Sequence, residues 1–141
     1  TFQPILADPR QDKIQPKNVK RIILCSGKIY YDLMDAVEAK KSQDILVLRQ
    51  EQLYPYPRDI LVKMLTPYAH ADVVWCQEEP QNMGSWTFID RLLEDVLLAA
   101  KFKQSRPKYA GRPAAAATAT GLLSRHLQEQ ERLINQAITI S

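Results

Sequence analysis

The chain has 141 residues, 45% of them hydrophobic and 25% charged. These are the proportions of an ordinary globular domain long enough to bury a core, and they exclude disordered, collagen-like and coiled-coil classes. Nineteen basic against sixteen acidic residues give a formal charge of +3, too mild to make nucleic acid the main partner. No apolar run approaches the roughly 20 residues of a membrane span, so a membrane is not an expected partner, and Thr1-Phe2-Gln3-Pro4 does not read as a signal peptide.

Residues 1–19 carry Pro4, Pro9 and Pro16 among Asp, Gln, Lys and Asn. Proline fixes φ and removes a donor, so the stretch reads as an extended leader, either a linker from an upstream domain or a free arm. The folded domain is expected over 20–141. Arg21-Ile22-Ile23-Leu24-Cys25 is a short β-rich run ending at Ser26-Gly27, suited to a strand buried on both faces. Ile29, Leu33 and Val37, flanked by Tyr30, Met34 and Ala36, recur at helical spacing through about Lys41. Ile45–Leu48 is the next strand, closed by Pro55 and Pro57, and a short helix follows with Ile60, Leu61, Met64 and Leu65 on one face. Asp72–Cys76 is a third strand. A loop from Gln77 to Gly84 leads into a helix bearing Phe88, Ile89, Leu92, Leu93, Val96, Leu97 and Ala100. Lys108-Tyr109-Ala110 is a further short strand, and a last helix uses Leu123, Leu127, Ile134 and Ile138. The alanine run 114–117, between Pro113 and Gly121, suits a helix or an ordered loop equally. Strands alternating with helices predict a three-layer α/β/α sandwich with a mostly parallel sheet.

The chemistry-bearing residues are sparse. Only four glycines occur (Gly27, Gly84, Gly111 and Gly121), nowhere clustered, so neither a dinucleotide fingerprint nor a Walker A loop exists. His70 and His126 form no metal-binding spacing, and His126, near the inner stripe of the last helix, reads as structural. Cys25 and Cys76 lie outside any CxxC pattern and read as reduced, buried thiols. A complete active site within this chain is therefore not expected.

Three constellations remain. Cys25-Ser26-Gly27-Lys28 places amides and a cation where an anion sits in some α/β proteins, but with one glycine it reads first as an ordinary strand-to-helix turn. Gln77-Glu78-Glu79-Pro80-Gln81-Asn82-Met83-Gly84-Ser85-Trp86 follows a strand's carboxyl end, the place where open α/β sheets set ligands or partners. Adjacent carboxylates on one backbone point apart, which argues against a shared-proton dyad. Met83 and Trp86 beside polar side chains favour a protein interface over both catalysis and a plain charged turn. The run from Lys101 to Arg112 holds Lys101, Lys103, Arg106, Lys108 and Arg112 with no acid, usually a solvated face and alternatively a phosphate site or the seat of an acidic partner. Arg112, between Gly111 and Pro113, is its best-fixed member.

Taken in order, Leu24–Leu33, Leu48–Pro57 and Val74–Trp86, continued by Tyr109–Pro113, Gly121, His126 and Glu129-Gln130, resemble the C-terminal domain of the thiamine-diphosphate-dependent decarboxylating component of 2-oxoglutarate dehydrogenase. The resemblance runs from about residue 20 to 141, and Gln77-Glu78-Glu79-Pro80 is its most specific part. Ser85 stands where the family tends to have alanine, and a proline expected near Thr118 is absent, which leaves the path of 113–121 open. The resemblance implies a transketolase C-terminal-like fold with a five-stranded sheet, one strand antiparallel. It implies that the intact enzyme binds thiamine diphosphate and magnesium on upstream catalytic domains, forms a homodimer, decarboxylates 2-oxoglutarate and acylates the lipoyl arm of dihydrolipoyl succinyltransferase. Its compartment would be the cytoplasm in bacteria or the mitochondrial matrix in eukaryotes. The family's diphosphate motif, Gly-Asp-Gly with a later Asn, is missing here, so no catalytic, cofactor or metal residue is assigned and the chain alone is expected to be inactive. Gln77, Glu78, Glu79, Gln81, Asn82, Met83 and Trp86 are the expected domain interface. The rival reading is a regulatory nucleotide or acyl-coenzyme site using Lys28, Lys101, Lys103, Arg106, Lys108 and Arg112.

Overall fold

A computed structural model describes residues 3–114 and 123–140. It builds one sheet in the order β1-β3-β2-β4-β5. The strands are β1 (Ile5–Leu6), β2 (Arg21–Cys25), β3 (Ile45–Gln50), β4 (Asp72–Pro80) and β5 (Lys108–Arg112). The helices are α1 (Ile29–Ala39), α2 (Arg58–Leu65), α3 (Trp86–Ala99) and α4 (Leu123–Ile138). β2 pairs in parallel with β3 and β4, β4 pairs in parallel with β5, and β1 alone is antiparallel. The five-stranded mixed sheet is thus as expected. Beyond Ala114, the rest of the alanine run and the path through 115–121 lie outside the described residues.

The continuous apolar strands work because side chains alternate between two faces that are both covered. Ile22, Leu24, Leu46, Leu48, Val73 and Trp75 pack with Leu61 and Leu65 of α2 and Ile89, Leu93, Val96 and Leu97 of α3. Ile23, Cys25, Val47, Val74 and Cys76 face the opposite layer, with Ile29, Leu33 and Val37 of α1 and Leu133, Ile134 and Ala137 of α4. Three helical stripes are narrower than their apolar patterns. Ile60, Phe88, Leu92 and Leu127 are exposed, because each sits at the flank of its helix and the sheet can receive only the central rows. The first half of α4 meets the rest of the chain through polar side chains instead, including Gln130 donating to Asp32 at 3.1 Å.

The leader is the main correction. Residues 3–19 are not an extended, unpacked segment: Ile5, Asp8, Ile14 and Val19 are buried, and two short 3-10 turns connect β1 to β2. The cause is the outer edge of β3, whose unpaired backbone groups need partners. β1 covers Arg49 and Gln50. Beyond it side chains take over. Asp8 Oδ2 accepts the Val47 amide at 2.8 Å, and Arg10 donates to the carbonyls of Ser42 (2.8 Å) and Ile45 (2.6 Å) while forking onto Asp8.

At the amino end of the sheet Arg21 is buried and donates to both oxygens of Asp72 at 2.9 Å. Its remaining nitrogen donates to the carbonyls of Ala137 (3.0 Å) and Thr139 (2.9 Å), which ties the end of α4 to the central strand.

Candidate functional site

The chain leaves β2 for β3 on one side and then returns across it to β4, so neighbouring connections diverge at the carboxyl ends of β2 and β4. In open α/β sheets ligands or partners sit at such a divergence, which here lies between the β2–α1 and β4–α3 connections. The Gln77–Trp86 segment lies there. It differs from the expected loop in its first part: β4 runs on to Pro80, with a register shift against β5 between Cys76 and Pro80. An irregularity of this kind inserts unpaired residues and re-aims side chains beside a site.

The irregularity is held by close packing. Gly111 of β5 lies so near that a Cβ there would sit 2.6 Å from Tyr109 Oη and 2.7 Å from the Gln77 carbonyl oxygen, closer than atoms tolerate, which only glycine avoids. Tyr109 donates its hydroxyl to the Arg112 carbonyl at 2.7 Å, and the Gln81 amide donates to the same oxygen at 3.0 Å. Burial pushes the Tyr109 phenol up to about 12, so it stays a donor at ordinary pH.

Within the segment the side chains divide. Gln77 and Trp86 turn inward: both are buried, and the indole of Trp86 rests on Tyr109 with ring centroids 5.4 Å apart. Glu79, Gln81 and Asn82 are exposed, and Glu78 and Met83 are half-buried. The two carboxylates fall on successive residues of a strand and so point to opposite faces. Tyr54 and Phe88, 6.4 Å apart, and Leu92 one turn further on form an exposed apolar flank along α3. Aromatic groups next to a polar rim are the composition of a protein interface.

The six basic residues are not gathered. Lys28 precedes α1 at the carboxyl edge, and Lys101 and Lys103 follow α3 at its far end. Arg106 pairs with Asp90 at 2.6 Å, Lys108 with Asp72 at 2.8 Å, and Arg112 with Glu129 at 3.3 Å. Lys108 and Arg112 stand at opposite ends of β5. Arg112 also donates to His126 Nδ1 at 3.0 Å. Since a guanidinium only donates, Nδ1 must be the acceptor and the ring proton sits on Nε2. His126 is therefore a structural partner of Arg112. Cys25 and Cys76 are free and buried, and burial with Glu78 beside it pushes the Cys76 thiol up to about 12.

A mostly parallel five-stranded α/β/α sandwich with one antiparallel edge strand has the transketolase C-terminal-like fold. The comparisons refine it. Residues 1–138 match the family model described as 2-oxoglutarate dehydrogenase C-terminal, and the chain belongs to that family. It is 50% identical over 120 residues to proteins named 2-oxoglutarate dehydrogenase E1 component from Brucella anthropi and Brucella ovis, an alignment that takes in 85% of this chain and 12% of each relative. The chain thus spans about an eighth of the length of these relatives. Among solved structures, a split gene transketolase in an inactive beta4 tetramer is similar with a TM-score of 0.57 at 15% identity, covering 97% of this chain and 43% of the other.

Thiamine diphosphate and magnesium do not fit the described residues. The first amide of α3, where a diphosphate would seek donors, is already taken by Gln77 Oε1 at 3.0 Å. Among the described residues no three His, Cys, Asp or Glu side chains group to hold a metal ion. No described helix is long and apolar enough to cross a membrane.

Proposed function

We propose that this chain is the C-terminal organising domain of the decarboxylating component of 2-oxoglutarate dehydrogenase, docked through its Gln77–Trp86 segment against the catalytic domains of that enzyme and supporting the homodimer. The intact enzyme would use thiamine diphosphate and magnesium to decarboxylate 2-oxoglutarate. It would pass the succinyl group to the lipoyl arm of dihydrolipoyl succinyltransferase, in the cytoplasm of a bacterial cell. Family membership and relatives about eight times longer support placing the reactive groups on other segments.

The observation that carries the reading is the division of this segment. Its inward side chains are fixed, while Glu79 and Gln81 stand exposed on a stiff support at the sheet's switch point, beside the apolar flank of Tyr54, Phe88 and Leu92. Rigid presentation lowers the ordering cost of association. The test is to reverse both charges, Glu78→Lys with Glu79→Lys, in the full-length enzyme. Weaker dimerisation together with lower turnover is expected, and unchanged values of both would remove the reading.

A further inference from the structure

The side chain of Gln77 is buried and hydrogen-bonded at both of its polar atoms. Its Oε1 accepts the Trp75 indole N–H at 2.8 Å and the Trp86 amide at 3.0 Å. Its Nε2 shares two hydrogens among the carbonyls of Met83 (2.7 Å), Pro80 (3.0 Å) and Glu79 (3.2 Å). One carboxamide therefore joins the strand, both ends of the turn and the first residue of α3. Gly84 completes the arrangement. Its φ of +68° belongs to the left-handed region, and a Cβ there would lie 3.2 Å from Gln77 Nε2 and 3.1 Å from the Glu79 side chain. Ser85, at the helix N-cap, makes no side-chain cap, and Gln77 Oε1 satisfies from the preceding strand a different free donor of the first turn, the N1 amide of Trp86.

We infer that Gln77 is a positioning residue: its carboxamide sets the shape of residues 78–86 and thereby the geometry in which Glu78, Glu79, Gln81 and Met83 meet a partner, without touching that partner itself. The inference rests on the docking function proposed above and specifies how the docking surface is built. It needs both halves of the amide. The acceptor anchors the helix start and the donor gathers the turn, so a carboxylate and an apolar side chain at the same place fail differently.

The experiment has two arms. In the first, amide and indole hydrogen exchange is followed by NMR in the 141-residue chain, whose only tryptophans are Trp75 and Trp86, for wild type, Gln77→Glu and Gln77→Leu. Gln77→Leu should raise exchange of the Trp75 indole, the Trp86 amide and the amides of 81–85 by about tenfold or more, since it removes every hydrogen bond of the Gln77 carboxamide. Gln77→Glu should keep the two protons its oxygens still accept but free the turn, because a carboxylate repels the three carbonyls. A purely structural role would instead accelerate exchange across the whole sheet, and that result, or no change in residues 78–86, overturns the inference.

In the second arm the same variants and the double charge reversal at Glu78 and Glu79 are placed in the full-length enzyme and dimer dissociation is measured. Both Gln77 variants should dissociate about tenfold more readily. The charge reversal should do so while leaving exchange in residues 78–86 protected, as read in the 141-residue chain. If the Gln77 variants loosen the turn yet bind as wild type while the charge reversal weakens binding, the positioning role fails and docking stands. If neither affects binding, docking itself fails.

Discussion

Replacing Arg21 with methionine removes four hydrogen bonds at once, three of them buried: two to Asp72 and two to the carbonyls of Ala137 and Thr139 at the end of α4. It leaves the Asp72 carboxylate buried with one remaining cation, Lys108, at 2.8 Å. Breaking a buried ion pair by removing one partner costs roughly 3–5 kcal/mol. Because Lys108 still serves one oxygen, the lower end applies, about 3 kcal/mol. For a domain of this size each kcal/mol shifts Tm by roughly 3 °C, so the variant should melt about 10 °C lower.

The pH dependence adds a second readout. Burial alone would raise the Asp72 carboxyl, but hydrogen bonds from Arg21 and Lys108, with their charges, outweigh it and hold the group below its usual range. A carboxyl lowered in the folded state stabilises fully above its unfolded pKa, and the contribution fades as pH falls through the folded value. Wild type should therefore lose stability on acidification through and below the carboxylate range, and Arg21→Met should show a shallower acid limb. Removing both partners, Arg21→Met with Asp72→Leu, should cost less than Arg21→Met alone, since no orphaned charge remains. Urea unfolding followed by tryptophan fluorescence across the acid range measures all three. A loss under about 1 kcal/mol for Arg21→Met, or an unchanged acid limb, would refute the reasoning.

Two further outcomes follow from the same packing. Asp8→Ala should cost about 2–3 kcal/mol in a denaturant titration, because it strips the Val47 amide of its acceptor and Arg10 of its counter-charge; a neutral effect would mean that the N-terminal segment is not part of the folded unit. Cys25 and Cys76, whose thiols burial pushes upward, should resist a disulfide reagent at neutral pH until the chain is unfolded, whereas rapid reaction of either in the native state would contradict their burial.

The central architecture was legible because it is written in uninterrupted apolar runs. Ile22–Cys25, Ile45–Leu48 and Val73–Cys76 are buried on both faces, and a parallel sheet is what such runs build. The edge strand was not legible. Ile5–Leu6 is two residues long, follows a proline, and exists because β3 has an open side, a fact contained in no local pattern. β4 runs on to Pro80 where the sequence reads as a loop from Gln77, and the irregularity against β5 leaves that proline at the end of the ladder. The site was legible as a segment but not as a mechanism of order. The mixture of Met83, Trp86 and carboxylates marked the stretch, yet Trp86 packs on Tyr109, and the partners of Gln77 come from residues 75, 79, 80, 83 and 86, a set that only the folded turn assembles. The basic run looked continuous along the chain, but β5 separates its members and acidic neighbours claim Arg106, Lys108 and Arg112.

Docking requires residues 78–85 to be a covered contact surface in the intact enzyme. Hydrogen–deuterium exchange read by mass spectrometry, comparing this chain alone with the same residues in the full-length enzyme, addresses that directly. Slower exchange confined to 78–85 and the adjoining start of α3 in the full-length enzyme is the predicted result; identical exchange of that segment in both forms would contradict it.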